Sequence, residues 1–118
     1  MVQTFQTENK QLTITLEEKN DVVILAWSGK STSMYPDDFL APIFQKALAL
    51  DKPIIMNFLK LEYLISTTLK PIFMLLETVK NGKGKIELQY DAKVDWQRMT
   101  FTAFEFYTDC ERIKITGI

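Results

Sequence analysis

Apolar residues recur with a period of two in some segments and of three to four in others, and the switches between the two periods divide the chain into elements. Residues 11–18, QLTITLEE, set Leu12, Ile14 and Leu16 against Thr13, Thr15 and Glu17, the alternation of a half-buried strand. A polar turn, KND at 19–21, separates it from VVILAWSG at 22–29, a continuous apolar run that reads as a strand buried on both faces. Two strands joined by a short polar turn form a hairpin, although no glycine follows Asn20 to specify a two-residue loop. Beyond GKSTSMY, the segment PDDFLAPIFQKALALDK (36–52) places Phe39, Leu40, Ile43, Phe44, Ala47 and Leu48 on one helical face. Pro36 suits the first helical position, and Asp37 and Asp38 complement the dipole there. Pro42 interrupts the pattern and points to an irregular first turn or a helix start delayed to residue 40.

PIIMNF (53–58) reads as a short buried strand, and LKPIFMLLETVKNGKG as a helix stopped at Asn81-Gly82. KIELQYD (85–91) alternates as a strand. VDWQRMTFTAFEFYTDC (94–110) reads as a third helix with Asp95 as its N-cap, and RIKITGI closes the chain as a strand. The order β-β-α-β-α-β-α-β predicts one α/β domain over residues 1–118: a mixed, mostly parallel sheet with an N-terminal hairpin, residues 1–10 being an extension or an edge. No internal repeat, linker or low-complexity tract interrupts it.

Composition narrows the function more than the fold. The 118 residues carry a net charge of −1, and no basic stripe matches a nucleic-acid backbone. Residues 53–76 are apolar but are broken by Asn57, Lys60, Glu62 and Lys70, so no membrane span is expected, and the start has no signal-peptide layout. A cytoplasmic protein is the expectation. Histidine is absent and Cys110 is the single cysteine, which removes Ser–His–Asp and Cys–His nucleophiles, imidazole metal sites and thiolate zinc clusters. Asp37-Asp38 and Glu17-Glu18 read as solvated pairs, not acid–base pairs. NGKGK at 81–85 lacks the spacing of a phosphate loop, and Cys110 reads as a packing residue. A non-enzymatic protein without cofactor or metal is expected.

The chemistry that remains lies in LEYLISTTLKP at 61–71, where Ser66, Thr67 and Thr68 stand between an apolar strand and an apolar helix. The plain reading makes them helix caps, with Thr68 at the N-cap and Pro71 in the third helical position. The functional reading makes them phosphoacceptors, since a phosphate adds about −1.5 to −2 charges at pH 7. The aromatics Trp96, Phe101, Phe104, Phe106 and Tyr107 are too many for one buried stripe, so some of them are expected to face outward.

The element order, with hydroxyls at the start of the helix after the third strand, resembles the STAS domains, the fold of the anti-sigma-factor antagonists. YLISTTLK at 63–70 is similar to the loop YLNTSSIK of a branch of bacterial phosphoproteins controlling biofilm formation and signalling. Tyr35-Pro36, Leu75-Leu76-Glu77 and a strand ending in Tyr90 match the same branch, so that the likeness spans roughly residues 22–115. It implies a partner-switching module, phosphorylated by a cognate ATP-dependent Ser/Thr kinase and restored by a metal-dependent phosphatase. The acceptor maps to Ser66, with Thr67 and Thr68 as neighbours; Tyr35, Glu62, Tyr63, Ile65 and Lys70 border the partner surface. Ile65 stands where those families usually carry Asn or Asp, a side chain able to order the loop. The competing expectations are an unmodified scaffold that forms a homodimer through its aromatics, and a small-ligand binder.

Overall fold

The computed structural model describes residues 2–118. Six strands form one mixed sheet in chain order, β1-β2-β3-β4-β5-β6: β1 Val2–Gln6, β2 Leu12–Lys19, β3 Val22–Ser31, β4 Ile54–Leu64, β5 Ile86–Tyr90 and β6 Ile113–Gly117. The β1–β2 and β2–β3 pairs are antiparallel, and the remaining three are parallel. Helices α1 (Asp37–Ala49), α2 (Leu69–Asn81) and α3 (Asp95–Thr102) make the three crossovers. Right-handed crossovers that always advance in the same direction across a sheet leave their helices on one face. Burial follows that rule: Leu12, Ile14, Leu16, Val23, Leu25, Trp27, Ile54, Met56, Phe58, Ile86, Leu88 and Ile113 are buried. Their neighbours Val22, Ile24, Ala26, Ile55 and Leu59 are only half-buried. The apolar run of β3 is therefore covered on one face, not on both as its sequence implies.

Several boundaries differ from the sequence reading. Residues 2–6 form an edge strand: Phe5 packs beside Ile14, with the Lys46 ammonium of α1 5.9 Å from its ring centroid. Val2 and Phe5, three apart, lie on opposite faces of that strand, so no period-two pattern marks it. The β2–β3 loop has two residues, Lys19 pairing with Val22, and Asn20 takes the left-handed conformation (φ 54°) that asparagine tolerates without glycine's help. Helix α1 begins at Asp37 despite Pro42, with Pro36 just before it; Pro42 is exposed, so water can reach the carbonyl that its missing N–H leaves unpaired. Asp95 does not cap α3. It lies inside the first turn and pairs with Arg98 at 2.8 Å, while Val94 precedes the helix without a side-chain cap.

The expected third helix is α-helical only to Thr102 and continues as a 3-10 helix over Ala103–Asp109. A period of three keeps Phe101, Phe104 and Tyr107 on one buried face and turns Phe106 out, three-quarters exposed. These rings extend the core: Trp27 meets Phe58 at 4.9 Å, Phe58 meets Phe101 at 4.6 Å, and Phe73 of α2 meets Phe104 at 4.6 Å.

Candidate functional site

Strand β4 runs eleven residues, well past the PIIMNF segment, because two bulges let it go on pairing with β3. Between Ala26 and Ser28 the partner advances from Asn57 to Lys60, and between Gly29 and Lys30 it advances from Leu61 to Tyr63. The side-chain amide of Gln97, almost fully buried, donates to Phe58 O at 2.9 Å and Leu61 O at 2.8 Å, and its oxygen accepts the Asp91 N–H at 2.8 Å. The extension carries Glu62 and Tyr63 to the surface, Tyr63 opposite Lys30, and delivers the hydroxyl cluster to the end of the sheet.

There the chain makes a 3-10 turn, Ser66–Thr68, directly ahead of α2. Its three hydroxyls have separate fates. Thr68 is fully buried and hydrogen-bonds the buried Ser31 hydroxyl at 2.7 Å. Thr67 donates to Ser33 O at 2.7 Å. Ser66 is exposed and has no partner among the described residues. No side chain caps the turn or the helix, so the plain reading of these residues as N-caps does not hold. Thr68 does precede α2, which puts Pro71 in its third position, where a missing N–H costs little.

The two inward hydroxyls and the Ile65 N–H, which donates to Ser31 O at 3.0 Å, stitch this turn to the loop between β3 and α1. That loop in turn holds Ser33 Oγ as acceptor for the Tyr35 N–H at 3.0 Å and anchors itself by the buried Pro36, leaving Tyr35 83% exposed. No pattern in the sequence singles out Ser31 and Ser33 beyond the run of hydroxyls STS at 31–33.

Two depressions meet at the turn. A groove along α2 is lined by Ser66, Leu69, Lys70, Phe73, Met74 and Glu77. A cleft toward α1 is lined by Met34, Tyr35, Asp37, Asp38, Thr67 and Lys70. Of the residues singled out by resemblance, Tyr35, Ser66, Thr67 and Lys70 thus gather in one place. Glu62 and Tyr63 sit on the preceding strand outside both depressions, Ile65 is half-buried, and Thr68 lies inside. Met34, Tyr35 and Met74 are large apolar side chains exposed in the two depressions, and Tyr63 is exposed on the strand before them. At the far end of the groove Glu77 accepts the Tyr107 hydroxyl at 3.0 Å; burial first, and then this bond, hold the Tyr107 phenol above its ordinary pKa. No group of three or more metal-ligating side chains occurs among the described residues.

No family model matches the sequence, and no curated protein does. Among solved structures, the chain is similar to an anti-sigma factor antagonist from Mycobacterium paratuberculosis, with a TM-score of 0.65 over 86% of each chain at 16% sequence identity. The likeness is one of fold, and the fold is the STAS-like one that the element order implies. No helix among the described residues is long and apolar enough to cross a membrane.

Proposed function

We propose that this protein is a partner-switching regulator, and that phosphorylation of Ser66 controls its contact with a protein partner. The observation that carries the reading is the separation of the three hydroxyls: Thr67 and Thr68 are spent on internal bonds, and Ser66 alone faces outward, on a groove lined by Leu69, Phe73 and the exposed Met74, next to the cleft that exposes Met34 and Tyr35. Apolar and aromatic side chains around a compact groove suit a protein interface. In the proposed step the γ-phosphorus of ATP forms a bond to Ser66 Oγ as its bond to ADP breaks, and the hydroxyl proton departs to a base of the kinase. A metal-dependent phosphatase returns the serine by hydrolysis. A dianion left unpaired inside an interface costs several kcal/mol, on the order of a hundred-fold in affinity, so no rearrangement of the fold is required.

The similar fold of an anti-sigma factor antagonist, the loop likeness and a cytoplasmic setting with a cognate kinase all belong to this reading. Ile65 contributes to the turn through its backbone, its N–H donating to Ser31 O and its carbonyl accepting the Thr68 N–H. Peptide mapping after incubation with host lysate and Mg-ATP tests the proposal. A phosphopeptide over residues 61–70 that disappears in Ser66→Ala is expected; a phosphate on Thr67 or Thr68, or none, defeats it. A second reading, self-association without a switch, draws on Met99 and Phe106, both about three-quarters exposed on another element. It predicts dimers in sedimentation that Phe106→Ser abolishes and Ser66→Asp leaves intact.

A further inference from the structure

We infer that Lys70 is the built-in counter-ion of a phosphate on Ser66. The inference rests on the Ser66 reading above. A phosphate at the start of a helix ordinarily finds unpaired N–H groups and the positive end of the dipole. At α2 that supply is reduced: the Thr68 N–H already donates to Ile65 O at 3.0 Å, the Leu69 N–H is bonded to Ser66 O, and Pro71 has no N–H to give, which leaves the N–H groups of Ser66 and Thr67 at the start of the turn. Two neutral donors do not balance a phosphate of about −1.5 to −2 charges, so a charged side chain is called for beside them.

Lys70 is the one placed for it. It follows Ser66 by four residues, about one helical turn, and lines the same groove. It is exposed, and it is absent from the ion pairs of the described residues, which are Lys52–Glu18 and Arg98–Asp95. It also lines the cleft that holds Asp37 and Asp38. In the unmodified protein Lys70 makes no ion pair with either aspartate, so its ammonium is free to turn to the groove. A phosphate with about −1.5 to −2 charges on Ser66 attracts it more strongly than a single carboxylate does.

The test places phosphoserine at position 66 during translation of the full chain, so it does not depend on any kinase recognising the loop. Phosphorus NMR then follows the second ionisation of the phosphate, ordinarily near pH 6. With Lys70 in place the midpoint is expected about half a unit lower, and the difference should shrink at high salt. Lys70→Arg should keep the low midpoint. Lys70→Met should return it to the ordinary value or above, because Asp37 and Asp38 on α1 and Glu77 on α2 remain. Coincident curves for the native chain and Lys70→Met would overturn the inference, whether low through backbone donors or ordinary through lack of any partner. Failure of the Ser66 reading is seen separately, as a missing phosphate in peptide mapping.

Discussion

Gln97 shows how much one polar side chain can hold in place. Bulging a strand leaves backbone groups without ladder partners, and in the interior each such group costs about 1–3 kcal/mol if left unpaired. Gln97 satisfies two carbonyls of β4 and one N–H of the β5–α3 connection at once. Gln97→Leu, similar in size but unable to make any of these bonds, is expected to lower the unfolding free energy by about 2–4 kcal/mol in urea titration. A loss below about 1 kcal/mol would mean that water replaces the amide, and that the bulge does not depend on it. Nothing in the sequence marks this role, because glutamine on a helix next to Trp96 and Arg98 reads as a solvated residue. The candidate site divides the same way. That Ser66 and Lys70 lie near each other follows from a spacing of four at the start of a helix, whereas the pairing of Thr68 with Ser31 spans 37 positions and has no local signature.

Among the elements, the β3–β4 pair is the one on which the site depends. Gly29 lies between the two bulges at φ 91°, in the region that disfavours side chains, and a Cβ there would stand 2.0 Å from Gln11 O. Backbone on the β2 side cannot yield without breaking the hairpin. Gly29→Ala is therefore expected to destabilise the protein by more than about 3 kcal/mol or prevent folding, a severity typical of a strained backbone combined with a clash. Recovery of soluble protein with a native melting temperature would refute that. Element types followed from periodicity, which is set by burial on one face. Their ends did not, because bulges, the α to 3-10 transition after Thr102 and the edge strand at residues 2–6 are decided by contacts distant in sequence.

At the scale of the whole molecule, the helical layer is held together partly by Tyr107 against Glu77 of α2. The phenol is raised above its ordinary value of 10.0, so the folded state holds its proton more tightly than the unfolded chain does. The stabilisation is complete below pH 10 and is lost as pH rises through the raised value, since the unfolded chain ionises first. Tyr107→Phe should be less stable than the native protein by about 1 kcal/mol at neutral pH, the worth of one hydrogen bond. The difference should narrow above pH 10 when urea midpoints are compared across pH. A gap that stays constant would mean that the phenol is not protected. The single-sided placement of the helices was also hidden in the sequence, where VVILAWSG has the apolar character of a strand covered twice.

Strand order in the sheet is the same as strand order in the chain, and this bears on how the molecule is assembled. No strand has to be threaded between two that are already paired. During synthesis each new strand can join an edge left open by the one before it, and the next crossover helix comes down on a surface already laid out. The turn that carries Ser66 belongs to the middle of that sequence of events, on the strand that converts an antiparallel hairpin into a parallel sheet. It follows that the surface around Ser66 can take shape before β6 is added at the far edge.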